Sequence, residues 1–416
     1  MSQQMNILPF PDVDRYGVCA RHNAKPAEWR MAKRWNPFNS NKLLAHVERW
    51  KHVRRGRPIP APALVTVDPA NICNFNCAWC NAAQIRRQRR GYLSETALSR
   101  LADFLPRWGR RSFDIFGVNA VCVAGGGEPL LNPATAGFID RLAANGIEVG
   151  VVTNGSRIYD YMDALTQCTW LGVSVDAGTA ATFNALKGLP DNGTAFAQVI
   201  NNMAMLADYA RSRHARLGFP HPAYGVSYKY LLYKDNIGEI FAAAKLAKEI
   251  GCKNIHFRPA GTPWDKIDTP WEIRFSEDDI ALFNEQIALA QELDDETFSV
   301  YGITHKFSDQ FERENCFAAC HSMFMTAVFS PPADGNAPED AFVMGLCCDR
   351  RGDDKLELLR DETNVEAIDA AWGGKAHWKL HDAIDIACEC PRCTYQPHNQ
   401  IFEQVILKDS MTYKFI

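Results

Sequence analysis

Cys73, Cys77 and Cys80 stand on one short stretch, Cys-Asn-Phe-Asn-Cys-Ala-Trp-Cys, with three and then two residues between them. The thiolate is the metal-binding form of cysteine. Three thiolates on a single loop supply ligands for three irons of a [4Fe-4S] cluster and leave the fourth iron open to a non-protein ligand. A structural zinc takes four ligands, commonly split between distant pairs, so a zinc site completed by a remote residue is the competing reading of the same spacing. Further along, Gly125-Gly126-Gly127-Glu128-Pro129 offers backbone without Cβ atoms, which lets main chain come close to a ligand.

A second group lies near the C-terminus, where Cys316, Cys320, Cys347, Cys348, Cys388, Cys390 and Cys393 are crowded together. Two apolar, strand-like runs flank an Asp334-Gly335 turn, with cysteines at the outer ends; a helix and a Cys390-x2-Cys393 knuckle follow. That order brings four thiolates to one place. Cys19, Cys122, Cys168 and Cys252 are scattered and read as small buried hydrophobes. The full count is 14 cysteines in 416 residues, and a chain of this length has no need of a disulfide framework.

With 47% hydrophobic and 23% charged residues, disordered, collagen-like and coiled-coil readings are disfavoured. A formal net charge of -4 gives no global reason to expect nucleic-acid binding. No apolar run reaches bilayer length, so no membrane segment is expected, and Met1 to Phe10 lacks the basic-then-hydrophobic pattern of a secretory signal. A cytoplasmic location is the resulting expectation.

The elements that must position the first cysteine group follow a regular beat. Strands are expected at Ala63–Val67, Ala120–Ala124, Glu148–Thr153, Leu171–Val175, Gly225–Leu232 and Asn254–Arg258. Between them lie helical patterns: one capped by Ser94 with Leu98, Leu101, Ala102 and Leu105 on one face, then others from Pro133, Tyr159, Ala195 and Ile237. Six strands alternating with helices require parallel pairing with right-handed crossovers, which makes a partial (β/α)6 barrel of TIM-like kind. Cys73, Gly125 to Glu128, Asn154, Asp176 and Arg258 fall just after the strand ends, the edge at which parallel α/β proteins bind ligands. The beat is lost after Gly261. The expected organisation is an N-terminal helical and extended segment (1–62), the barrel (63–262), a linking helix region (263–312) and a C-terminal cysteine-rich α+β domain (313–416).

This combination resembles the radical S-adenosylmethionine (AdoMet) enzymes. Their signature is three cysteines at this spacing after the first strand, with an aromatic residue before the last. The resemblance implies that Cys73, Cys77 and Cys80 hold a [4Fe-4S] cluster with an open iron, and that Trp79 lies against the adenine of AdoMet. It also implies that the Gly125, Gly126, Gly127 and Glu128 run receives the methionine amino group, and that Ser174 and Asp176 are directed at the ribose. Asn154 is a common feature of the family, although Asn-Gly is also simply a turn. Arg258 is read either as a partner of the AdoMet carboxylate or as a structural salt bridge. The tail resembles the SPASM extension and its shortened twitch form; the latter implies an auxiliary [4Fe-4S] cluster on Cys320, Cys347, Cys390 and Cys393, with zinc at the same four cysteines as the alternative.

In such an enzyme the cluster reduces AdoMet to a 5′-deoxyadenosyl radical, which abstracts hydrogen from a substrate C–H bond. An oxidative outcome needs a base. On the fifth strand Ser227 and Lys229 share one face and Tyr228 and Tyr230 the other, so whichever pair points inward supplies candidates together with His256. An epimerase would need a thiol hydrogen donor, for which Cys122, Cys168 and Cys252 are available. Dehydrogenation or epimerisation of a sugar, aminocyclitol or similar polyol is the expected reaction, and peptide side-chain oxidation or crosslinking is the alternative. A non-catalytic iron-sulfur or zinc protein is the reading from another class. Arg86-Arg87-Gln88-Arg89-Arg90 reads as solvated surface, with a dock for an electron donor such as flavodoxin or ferredoxin, or a hold on a phosphate-bearing substrate, as the alternatives.

Overall fold

The computed structural model describes residues 40–80, 82–88, 91–217, 225–260, 275–302, 317–333, 335–390 and 393–407. Strands β1 (Leu64–Val67), β2 (Ala120–Val123), β3 (Glu148–Thr153), β4 (Trp170–Ser174), β5 (Val226–Leu232) and β6 (Asn254–Pro259) pair in sequence order, each parallel to the next. Alternation sorts their side chains between two surfaces. Val65, Val67, Val121, Val123, Val149, Val151, Leu171 and Val173 are all buried against the helices. The intervening Thr66, Cys122, Val152 and Ser174 line the concave side.

The helices follow the expected signals. In α1 (Glu95–Phe104), Ser94 caps the N-terminus by accepting from the Ala97 N–H at 3.0 Å, while Leu98, Leu101 and Ala102 are buried. Helix α2 (Thr135–Ala144) buries Phe138, Ile139 and Leu142. Next come α3 (Ala180–Lys187), which the sequence beat did not include, α4 (Ala195–Leu217), α5 (Ile240–Glu249) and α6 (Glu277–Gln291).

The partial barrel is borne out, with one addition. The beat expected to end after Gly261 resumes in β7 (Ser299–Gly302), which pairs parallel to β6 and makes a seventh parallel strand. Helix α6 is the crossover to it, burying Phe283, Ile287 and Ala290. A four-residue strand offers too few alternations to register as a pattern.

The C-terminal part joins the same sheet. β8 (Val328–Ser330) runs parallel to β1, pairing Thr66 with Val328 and Val67 with Phe329. The expected hairpin is present as β8 and β9 (Phe342–Gly345), and β10 (Glu357–Glu362) adds a further antiparallel strand. The result is a ten-stranded sheet in the order β10-β9-β8-β1-β2-β3-β4-β5-β6-β7. Trp372 fastens this region to the start of the barrel by donating its indole N–H to the Pro60 carbonyl at 2.9 Å and meeting the Trp108 ring edge-on. Among the described residues no helix is long and apolar enough to cross a membrane.

Candidate functional site

The loop after β1 carries the first cysteine group and rests on the C-terminal end of α3. Asn76 and Ala78 donate their N–H groups to the carbonyls of Lys187 and Leu186, each at 3.0 Å. Cys73, Cys77 and Cys80 all open into one cavity of ≈ 1200 Å³ on the concave side of the sheet. Burial raises the Cys73 thiol and pushes Cys77 up to about 11, and the three sulfurs act electrostatically on one another. Asn154 directs its amide Nδ2 toward the Cys73 sulfur at 3.8 Å and is held by Asn74 and Ser156.

Gly125 and Gly127 line the same cavity, but the glycine run is also demanded by the protein itself. A Cβ on Gly126 would lie 2.3 Å from Asn71 Oδ1, and one on Gly127 would lie 2.1 Å from the Ile72 carbonyl oxygen. These glycines therefore let two loops touch, a role additional to the ligand approach expected from sequence. The adjoining Glu128 is buried, and its carboxylate accepts from Leu130 N–H at 3.1 Å, Thr153 O–H at 2.6 Å and Asn154 N–H at 2.7 Å. Burial pushes its pKa up to about 7 against those three hydrogen bonds. Glu128 thus ties β2 to the end of β3 and positions Asn154.

Trp79 lies in the cavity wall against Tyr233, with ring centroids 4.8 Å apart. Ser174, Asp176 and Arg258 border the cavity from the ends of β4 and β6. Asp176 has φ +63, and both carboxylate oxygens are engaged: Oδ2 lies 2.5 Å from Lys187 Nζ, and Oδ1 accepts from Leu231 N–H at 2.6 Å. Lys187 is a site residue that sequence reasoning missed; a lysine ending a helix just before Gly188 looks like an ordinary dipole partner. Arg258 is exposed toward the cavity, within electrostatic reach of the carboxylates of Asp176 and Asp349.

The fifth strand settles which candidate side chains point inward. Tyr228 donates to the Ala177 carbonyl and Tyr230 to the Asn236 carbonyl. Both tyrosines belong to the buried core, and so the expectation that they serve as catalytic candidates is corrected. Lys229 has the opposite parity and sits in register with Ser174 on β4 and His256 on β6. Its pKa falls to about 7 through burial and then the like charge of Arg258, with Cys122 opposing. A Cβ on Gly172 would meet Lys229 Cε at 2.8 Å and one on Gly150 would meet the Trp170 ring at 2.3 Å, so these two large side chains pack over the glycines. Of the three thiols considered as hydrogen donors, Cys122 borders the cavity, whereas Cys168 and Cys252 are core residues.

The second cysteine group converges as well. Cys320 is within electrostatic reach of Cys347, Cys390 and Cys393. Arg350 Nη1 approaches the Cys390 sulfur at 3.8 Å, and Asn399 Nδ2 approaches that of Cys393 at 3.9 Å. Cys388 is exposed on a short helical turn and stands apart, and Cys19 and Cys316 lie outside the described residues. Cys348, Asp349 and Tyr395 line the same large cavity as the first group. Among the described residues, no three His, Cys, Asp or Glu side chains are arranged to hold a single metal ion.

Residues 67–223 match the Radical SAM superfamily. Two solved structures of similar fold are SuiB of Streptococcus suis bound to S-adenosylmethionine and the same protein bound to its precursor peptide SuiA. The first has a TM-score of 0.54 at 13% identity, covering 86% of this chain and 75% of that one. For the second the TM-score is 0.53 at 13% identity, with 86% and 73% covered. At that identity the likeness concerns the fold. No curated protein matches the chain.

Proposed function

The chain carries a radical SAM domain over residues 67–223 and continues into a C-terminal extension, and from that premise we propose an enzyme that dehydrogenates or epimerises a small polar molecule of the sugar, aminocyclitol or polyol kind. A [4Fe-4S] cluster and AdoMet, when bound, supply an electron and the 5′-deoxyadenosyl radical that takes hydrogen from an unactivated C–H bond. One observation carries the reading: the three cysteines, the glycine run and the inward ends of β4 and β6 all open into the same cavity.

The residues present fit these groups. Cys73, Cys77 and Cys80 offer three thiolates, and the Asn154 amide beside Cys73 is the kind of donor that tunes cluster sulfurs. Trp79 offers a ring face to an adenine, while Ser174 and Asp176 offer polar atoms to a ribose. Arg258 offers a guanidinium to a carboxylate. Lys229 and Trp170 fill the space that Gly172 and Gly150 leave open on the inward side of the sheet. Lys229, neutral above about pH 7, is the favoured base for an oxidative outcome, and Cys122 the favoured hydrogen donor for an epimerisation. Cys320, Cys347, Cys390 and Cys393 are proposed as ligands of an auxiliary [4Fe-4S] cluster. Flavodoxin or ferredoxin is the proposed electron donor, in the cytoplasm.

A second reading is modification of a peptide side chain. The fold neighbour SuiB was also solved with a peptide bound.

The test is anaerobic reconstitution followed by dithionite, AdoMet and an assay for 5′-deoxyadenosine. About eight irons per chain are expected for two clusters and about four for one. Cys77→Ala should abolish AdoMet cleavage, and Cys390→Ala should lower the iron count while sparing cleavage. No deoxyadenosine from the reduced wild-type protein would leave a non-catalytic metal-binding protein.

A further inference from the structure

Arg350, in the turn after β9, joins two segments that carry the second cysteine group. Its Nη1 donates toward the Cys390 sulfur at 3.8 Å. The other terminal nitrogen, Nη2, is held by the carboxylate of Asp353 and, at 3.2 Å, by that of Glu389, the residue before Cys390. Lys355 Nζ reaches the same Glu389 oxygen at 2.9 Å. The Arg350 side chain is 10% exposed, less than either carboxylate. The guanidinium is thus anchored through one nitrogen and presents the other to sulfur. Arg350, Asp353 and Glu389 all border the large cavity as well.

We propose that Arg350 is a positioning residue for an auxiliary cluster, donating a hydrogen bond to the Cys390 sulfur and making that cluster easier to reduce. This rests on the reading that Cys320, Cys347, Cys390 and Cys393 hold a [4Fe-4S] cluster. Reduction adds negative charge that the thiolate sulfurs share, and hydrogen bonds to those sulfurs are among the features that set cluster potentials. A guanidinium does not lose its proton in a protein, so both the donor and the charge are permanent. An exposed charge would be screened by salt, whereas one this enclosed is screened much less. The two carboxylates keep the planar fork aimed, which a single flexible ammonium would not achieve. A more easily reduced acceptor at the border of the cavity takes an electron from a substrate radical more readily, and so favours dehydrogenation over epimerisation.

The test uses the full chain carrying Cys73→Ala, Cys77→Ala and Cys80→Ala, which leaves the second site to take up iron, and a redox titration followed by electron paramagnetic resonance. Adding Arg350→Met should make the one-electron reduction about tenfold less favourable, a shift of about 59 mV to more negative potential. Arg350→Lys keeps the charge without the fork and should recover only part of that shift. Labelling the arginine guanidinium groups with ¹⁵N gives a readout that altered packing alone would not: pulsed resonance of the reduced cluster should show a ¹⁵N coupling that Arg350→Lys lacks. An unchanged potential in Arg350→Met at full iron, or no ¹⁵N coupling in the parent protein, would overturn the role of Arg350. Failure of the parent protein to take up about four irons, or uptake of zinc in their place, would overturn the cluster reading instead. If Arg350→Met does not hold iron, the label and Arg350→Lys still decide.

Discussion

Arg351, in the turn after β9, places Nε 2.8 Å from Oδ2 of Asp68 at the end of β1, and its Nη1 donates to the Cys348 carbonyl at 2.5 Å. Asp68 is 1% exposed, and burial raises its pKa against the opposing charge of Arg351. One guanidinium thus connects the segment bearing the second cysteine group to the strand that launches the first.

Removing that guanidinium strands a buried carboxyl. Arg351→Gln is expected to cost about 2–3 kcal/mol, below the ~3–5 kcal/mol of a fully enclosed pair because the arginine is partly open to the cavity. Urea unfolding of the variant measures it, and Asp68→Asn in the same background should restore part of the loss. A cost under about 0.5 kcal/mol, the size of an ordinary surface change, would show that the pair fastens nothing.

Gly127→Ala should be poorly tolerated, since its new Cβ would sit 2.1 Å from a backbone oxygen of the cysteine loop. Overpacking of this kind costs about 1–3 kcal/mol, and here the displaced segment leads directly to Cys73. The expected result is a lower Tm together with loss of iron after reconstitution. Gly137→Ala is the control: it lies in α2 with nothing within 4 Å of the added atom, and should gain about 0.5–1 kcal/mol from helix propensity.

Lys229 should leave a pH signature. Its folded pKa, about 7, lies below the ordinary lysine value. Its contribution to stability is therefore present above that ordinary value and is lost as pH falls through about 7. Between pH 7 and 9 the wild-type protein should gain about 2 kcal/mol relative to Lys229→Met, at ~1.36 kcal/mol per pH unit. Denaturation midpoints of both proteins at the two pH values give the difference. Parallel behaviour would mean that Lys229 stays charged in the fold.

The barrel was legible because each of its first six strands is an apolar run between a helix and a polar loop, and because three cysteines at fixed spacing admit few chemistries. Ser94 announced its cap, which accepts the Ala97 N–H. What escaped were relationships between residues that no local pattern links. The Lys187–Asp176 pair joins a helix end to a strand end; Arg351 and Asp68 lie far apart in the chain; β7 is four residues long. The inward face of β5 was undecidable because alternation defines two faces without saying which is concave; the tyrosine hydroxyls, bonded to the carbonyls of Ala177 and Asn236, decided it. The glycine run was read for a ligand, and only the packing of Ile72 against Gly127 revealed its second demand.

The hydrogen bonds between β8 and β1 have a mechanical consequence. Thr66 N–H donates to Ala327 and Asp68 N–H to Phe329, at 2.9 and 2.8 Å, so the strand before the first cysteine loop is gripped from both sides. The two cysteine groups ride on one stiff plate whose pitch is the ~4.8 Å spacing of neighbouring strands, and the gap between whatever they hold cannot be widened by a swinging hinge. Traffic into the chamber must pass its rim. The same grip means that the C-terminal quarter is no detachable accessory, because cutting it away would turn β1 into a raw edge, open to pairing with any stray strand.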